Sequence, residues 1–261
     1  MAATTYAKYL RLGELLSLQS PLSEGPEHDE TLFIVIHQVY ELWFKELLHE
    51  IDYLVTVLDR GEVARALHTL KRVLTILKVV VAQVDVLETM TPLEFLSFRH
   101  RLDTASGLQS YQFRELEFVI GAKNPKVLER YVAGSPEREK LDARFKAPTL
   151  WDAFLRYLQR EGHAVPESQL ARDPTELVTP NAEIQAILVE AYRAKAVTGE
   201  LCERLVDLDE GLQEWRYRHV KMVERTIGSQ MGTGGSSGAG YLLATLNRPV
   251  FPDLWAIRSK L

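Results

Sequence analysis

Apolar residues recur along most of the chain at three- and four-residue steps, and strict alternation is rare, so the pattern predicts helices and calls for no strand. The first long stripe runs Leu32, Phe33, Ile36, Tyr40, Trp43, Phe44, Leu47, Ile51, Leu54 and Leu58, a helix from about Asp29 to Asp59 with Asp29 as its N-cap. Asp59-Arg60-Gly61 breaks it. A second stripe follows through Val63, Leu67, Leu70, Leu74, Leu77, Val81, Val84 and Leu87. Pro26 and Pro92 bracket a stretch with no proline and with Gly61 as its only glycine, so two amphipathic helices joined by a short break form an antiparallel hairpin. Thr91-Pro92 opens a third helix, with proline at the favoured first position, running through Leu93, Leu96 and Phe98 towards Leu102. Ser106-Gly107 ends that segment, and Tyr111 to Gly121 reads as a further helix closed by glycine.

From Lys123 to Pro180 the pattern is choppier. Asn124-Pro125, Gly134-Ser135-Pro136, Pro148, Pro166 and Pro174 punctuate short helices such as Leu150 to Leu158. No linker flanks the stretch, so 123–180 is expected to be a small helical insert or cap. Helical periodicity returns from Asn181 to Thr226, with an expected break at Thr198-Gly199. The chain is therefore expected to be one all-α domain over residues 1–261, a helical bundle.

Composition narrows the function classes. With 261 residues and 46% hydrophobic content the chain can build a substantial core. The net charge of -5, with the 31 basic residues spread out, argues against a nucleic-acid partner. No apolar run suits a membrane span, and Lys8, Arg11 and Glu14 interrupt the first residues, so no signal peptide is expected. The single cysteine, Cys202, excludes an intramolecular disulfide and a cysteine-based zinc site and suits a reducing compartment. A cytoplasmic protein is expected.

Two histidines occupy apolar faces. His219 lies on the stripe Leu205, Leu208, Leu212, Trp215, Met222 and Val223; His37 lies four residues after Phe33, beside the Tyr40-Trp43-Phe44 face. Each could be a hydrogen-bonded core residue or a ligand. Zinc would need three or four ligands, and neither HExxH nor CxxC spacing occurs. Glu46 and His49 have the Glu-x-x-His spacing of di-iron bundles, without a matching second pair. A haem needs only one strong imidazole. Arg99, beside Phe95 and Phe98, either snorkels to solvent or awaits a carboxylate, which its planar fork would grip bidentately. Gly232-Thr-Gly-Gly-Ser-Ser-Gly-Ala-Gly240 cannot build a core but lets backbone N–H groups approach a ligand, so it reads as a lid beside a cofactor ligand or as a flexible linker. It lacks the strand of a Rossmann fingerprint and the Gly-Lys-Ser/Thr of a P-loop.

Several stretches together carry a family resemblance. Tyr6-Ala-Lys-Tyr9-Leu10, His28-Asp-Glu30, Phe33-Ile-Val-Ile-His37-Gln-Val-Tyr-Glu-Leu-Trp-Phe-Lys45, Phe98-Arg99, Ala105-Ser-Gly107, Tyr217-Arg-His219, Gly232-Thr-Gly-Gly-Ser-Ser-Gly238 and Phe251-Pro-Asp-Leu-Trp255 resemble, in order, the tryptophan 2,3-dioxygenases. The resemblance implies an all-α homotetramer that binds haem b as ferrous iron and inserts O2 into the indole C2–C3 bond of L-tryptophan to give N-formylkynurenine. It implies that His219 is the axial iron ligand, His37 the catalytic histidine that meets the indole N–H, and Phe33 the ring packed on the indole. Arg99 and Thr233 would hold the substrate's carboxylate and ammonium, Ser106 would sit beside the oxygen site, and Tyr6, Tyr9 and Leu10 would close the pocket of a neighbouring subunit.

The sequence departs from the family pattern in two places. Gln230-Met231 lacks the basic residue usual ahead of Gly232, and Asp103-Thr-Ala-Ser-Gly-Leu108 replaces a Pro-x-Ser-Gly-Phe flavour. They raise an alternative: a monooxygenase homologue of secondary metabolism that hydroxylates tryptophan or a β-substituted tryptophan to an oxindole-type product. A non-catalytic haem sensor or carrier and a haem-free helical interaction protein are the readings outside enzymes.

Overall fold

The computed structural model describes residues 3–25, 27–194, 197–232, 243, 246 and 248–261. The described residues form helices and turns without strand. Two single-turn helices, α1 (Tyr6–Tyr9) and α2 (Leu12–Leu15), precede the long helices α3 (His28–Asp59) and α4 (Val63–Leu87). Then come α5 (Pro92–Arg99), α6 (Tyr111–Ile120), α7 (Pro136–Lys146), α8 (Leu150–Arg160), α9 (Glu167–Leu170), α10 (Ala182–Arg193), α11 (Val197–Ile227) and α12 (Pro252–Ala256). None of these helices is long and apolar enough to cross a membrane.

α3, with 32 residues, is about 48 Å long. It folds back on α4 through Gly61, whose φ of 75° suits a residue without a Cβ. α11 lies along the other side of α4, while α6 and α8 pack on α3 and α10 packs on α11. Ile51, Leu54 and Leu58 of α3, Leu70, Val73 and Leu77 of α4, and Leu201, Leu205 and Leu212 of α11 share one core. That core also contains Trp151, Phe154 and Tyr157 of α8, all fully buried. A smaller cluster of Ile36, Leu87, Met90 and Phe98, with Phe33, Phe95 and Met222 against it, lies where α3, α4, α5 and α11 come together.

Three boundaries differ from expectation. α3 begins at His28 with Glu27 at the cap position and no side-chain cap; Asp29 is the second residue of the helix. Glu30 instead ties down the preceding arm, accepting hydrogen bonds from Leu22 N (2.6 Å), Ser23 N (3.0 Å) and the Ser23 hydroxyl. Burial opposes ionisation of Glu30, but these donors prevail and hold its carboxyl below the usual range. α5 ends at Arg99 rather than near Leu102, and the chain turns away at Asp103, a non-glycine residue with φ 47°. The break expected at Thr198-Gly199 falls just before it: α10 ends at Arg193 and α11 begins at Val197, so Thr198 and Gly199, both buried, lie in the first turn of α11. Thr198 shares a 3.0 Å hydrogen bond with the Tyr157 hydroxyl, and Gly199 packs on Ala191 and Tyr192 of α10.

The 123–180 stretch is bound to the bundle by charged contacts as well as by α8. Arg144 bridges Asp52 and Glu115 and Arg156 pairs with Asp59, while Arg172 reaches Asp152 and Thr149 within the stretch itself. Lys123, buried over the rings of Phe118 and Phe145, donates to the carbonyls of Arg144 (2.8 Å), Phe145 (2.7 Å) and Ala147 (3.0 Å). Burial pulls its pKa down to about 8, and three acceptors match the three N–H of an ammonium. Lys123→Met keeps the stem but removes all three donors. It is expected to cost about 2–4 kcal/mol, measured as a lower urea midpoint at unchanged slope.

At the far end of the chain Asp209 of α11, 1% exposed, gathers the C-terminal segment. Its carboxylate accepts from Val250 N (2.8 Å), Phe251 N (3.0 Å), the Trp255 indole (3.0 Å) and the Gln213 amide (3.0 Å). The segment that follows the glycine-rich run is thereby fastened to α11, the helix that precedes that run.

Candidate active site

Two adjoining cavities, of about 100 and 160 Å³, open between α3 and α11. Helical spacing turns Phe33, His37, Tyr40 and Phe44 of α3 and Trp215, His219, Met222 and Val223 of α11 towards this space. His37, His219, Leu87, Gly107, Leu108 and Met222 line both cavities, so the two form one site. The walls are mostly apolar, and the few polar groups are concentrated at identifiable points.

His219 stacks on Trp215, with ring centroids 5.1 Å apart and 19° between planes. No hydrogen bond fixes its ring among the described residues. Burial above all, helped by nearby His37 and Arg114, pushes its pKa down to about 4. The imidazole is therefore neutral at physiological pH and keeps a lone pair for a metal. His37 differs. Its Nδ1–H donates to the Phe33 carbonyl at 2.7 Å, which leaves Nε2 as an acceptor. Burial lowers its pKa, against the Phe33 carbonyl and Glu41, which raise it.

Phe33 lies 4.1 Å from the His37 ring and within 6 Å of Phe95 and Phe98, so α5 and α3 build one aromatic wall. The wall is held by α5, whose Thr91-Glu94 capping box fixes its start. Arg99, the last residue of α5, lines the same cavity as Phe33, His37 and Ser106. Ser106 caps a short turn at Gly107–Gln109, its hydroxyl oxygen accepting from Leu108 N. Thus His37, His219, Phe33, Arg99 and Ser106 come together around one space. Thr233 lies outside the described residues, as does the glycine-rich run beyond Gly232. Tyr6, Tyr9 and Leu10 are 76%, 77% and 41% exposed and do not line this cavity.

Pattern reading missed two features of the site. Arg114 and Glu117 of α6 and Arg216 of α11 form a buried ion cluster on the cavity wall, with Glu117 bridging Arg114 (2.6 Å) and Arg216 (3.1 Å). The i,i+3 spacing of Arg114 and Glu117 was the available signal. Gln230 and Met231, noted only as departures from a pattern, make direct contacts to Arg99.

The donor set decides what metal species fits. Among the described residues no group of three or more histidine, cysteine or acidic side chains could hold a bare ion. One neutral imidazole in an apolar cleft fits a metal that brings its own equatorial ligands, as a haem does. The two arginines sharing Glu117 add a cationic wall suited to a cofactor that carries carboxylates.

Comparison with known proteins agrees with this chemistry. The family model described as tryptophan 2,3-dioxygenase matches residues 1–168 and 164–261. A protein of Herpetosiphon aurantiacus named tryptophan 2,3-dioxygenase is 60% identical over 259 residues, covering 99% of this chain and 99% of its own length. Proteins of the same name from Anaeromyxobacter sp. and Caulobacter vibrioides are 57% and 45% identical, covering 100% and 98% of this chain and 97% and 98% of their own.

Proposed function

The chain belongs to the tryptophan 2,3-dioxygenase family, and from that premise we propose that the α3–α11 cavity carries out the haem-dependent insertion of O2 into the indole C2–C3 bond of L-tryptophan, giving N-formylkynurenine. The observation that carries this reading is the pair of half-buried histidines in one cleft with unlike chemistry. One is neutral and unengaged, and the other is fixed as a single acceptor.

His219 would hold the iron of haem b, with Leu87, Leu108 and Met222 as apolar packing and Arg114 as a cation for the cofactor's carboxylates. The ferrous haem, when bound, supplies the binding and activation of O2 that no side chain can provide. The remaining steps belong to the chain. His37 Nε2 accepts the indole N–H, which sets the ring's orientation. Phe33, supported by Phe95 and Phe98, presses on the indole face. Arg99 grips the α-carboxylate, Thr233 engages the amino acid head, and Ser106 offers a small hydroxyl beside the oxygen site. Positioning and exclusion of water by these walls, rather than proton transfer at a side chain, is the protein's contribution to rate.

Tyr6, Tyr9 and Leu10 supply an exposed apolar arm. In this reading they close the cavity of a neighbouring subunit within a homotetramer. The buried, unoxidised Cys202 suits the cytoplasm.

Reduced holoenzyme supplied with L-tryptophan and ¹⁸O₂ is expected to give a product heavier by two labelled oxygen atoms. A product gaining a single labelled atom would replace this reading with the oxindole-forming monooxygenase. Oxygen binding without consumption would make the protein a carrier or sensor.

A further inference from the structure

We propose that Gln230 is a positioning residue for Arg99: its amide oxygen holds one end of the guanidinium so that the opposite edge receives the substrate's carboxylate. The proposal rests on the functional reading above and gives a role to a side chain that the reading leaves unused.

Arg99 Nη1 donates to Gln230 Oε1 at 2.7 Å, and Nη2 donates to the Met231 carbonyl. Its Nε is buried and has no hydrogen-bond partner among the described residues. A guanidinium carries five N–H groups in a rigid fork. Two are taken by the 230–231 segment; of the three left, Nε–H and the second Nη2–H lie side by side along one edge. That edge fits a carboxylate through two parallel hydrogen bonds. A buried N–H without an acceptor is unfavourable, so the free protein stores a deficit that a carboxylate would relieve.

Gln230 can do this because its backbone is fixed. α11 ends at Ile227, Gly228 turns the chain at φ 58°, and Gln230 N donates to the Ile227 carbonyl at 3.1 Å. The amide therefore links Arg99 at the end of α5 to the helix that carries His219. The identity of the side chain matters too. A neutral amide accepts from Arg99 without spending its charge. A lysine or arginine at 230 has no acceptor and would repel the guanidinium, and a carboxylate would compete with the substrate for it.

The test uses holoenzyme and two ligands that differ in the carboxylate alone, L-tryptophan and L-tryptophanamide. Their dissociation constants are read from the haem absorbance, beside KM and kcat. Gln230→Met keeps side-chain length and removes the acceptor. It is expected to weaken L-tryptophan about tenfold while shifting L-tryptophanamide less than twofold. Gln230→Glu is expected to weaken L-tryptophan further, with the amide again little changed. An equal shift for both ligands in Gln230→Met, or none for either, overturns the proposal, as does unweakened L-tryptophan binding in Gln230→Glu. Should Gln230→Met fail to retain wild-type haem content, the Gln230→Glu arm alone decides. Failure of the parent reading has a different signature: wild-type holoenzyme that forms no N-formylkynurenine from L-tryptophan.

Discussion

Replacing His219 with alanine is expected to abolish the Soret band and the activity of the purified protein while leaving its far-ultraviolet helical signal intact. The two effects separate because α11 is held by other residues. Leu201, Leu205, Leu208, Leu212 and Val220 are its buried apolar contacts, and His219 faces the cavity instead of the main core. An alanine there removes the one neutral imidazole of α11 in the cleft and leaves a hole of imidazole size next to Trp215. Added free imidazole should enter that hole and restore part of the haem spectrum. Wild-type Soret intensity in the variant would refute His219 as the ligand, and loss of the helical signal would show that the ring supports the fold. The neutral state of His219 adds a pH consequence. With a pKa near 4 the ring stays unprotonated through neutral pH, so haem should be retained down to mildly acidic conditions.

Arg99→Ala is expected to lower kcat/KM for L-tryptophan by a factor between about thirty and a few thousand. This corresponds to the 2–5 kcal/mol lost when one partner of a buried charge-assisted pair is removed. The loss should fall on carboxylate-bearing ligands. L-tryptophanamide, which presents no anion, should lose far less, and steady-state assays of the two side by side measure the difference. Arg99→Lys is expected to recover only part of the activity, because an ammonium keeps the charge but not the two-pronged geometry. Equal losses for both ligands would mean that Arg99 acts on the shape of the α5 end instead of on the substrate. Its contacts to Gln230 and Met231 make that alternative concrete.

The parts of this molecule that were legible in the sequence are those governed by local periodicity. The α3–α4 hairpin was readable because nothing but Gly61 interrupts two long apolar stripes, and the stripes themselves placed His37 and His219 on inward faces. Where tertiary contact overrides propensity, the reading failed. Thr198 and Gly199 are poor helix formers, yet they lie in the first turn of α11 instead of in the break before it, where the hydroxyl finds Tyr157 and the glycine packs on α10. Asp29 looked like a cap, but Glu30 one residue later organises that corner by binding two backbone N–H groups of the arm. The cavity's ion cluster joins α6 to α11 across 99 residues, and the Arg99–Gln230 bond spans 131; no window of local pattern contains either. Family resemblance, not spacing, gathered Phe33, Arg99 and Ser106 into one site.

Asp209 gives the order of synthesis a role in the life of this protein. Its carboxylate is buried on α11, and three of its four donors come from Val250, Phe251 and Trp255, which are synthesised 41 or more residues after it. Until they arrive, docking α11 would bury a charge with most of its partners missing, a cost of several kcal/mol. The N-terminal hairpin can collapse early, but the helix bearing His219 has reason to wait. Cofactor capture would then wait for the synthesis of the segment that carries these donors. A message truncated shortly before Val250 would leave a product that contains every haem-facing side chain and still cannot seat the helix that presents them.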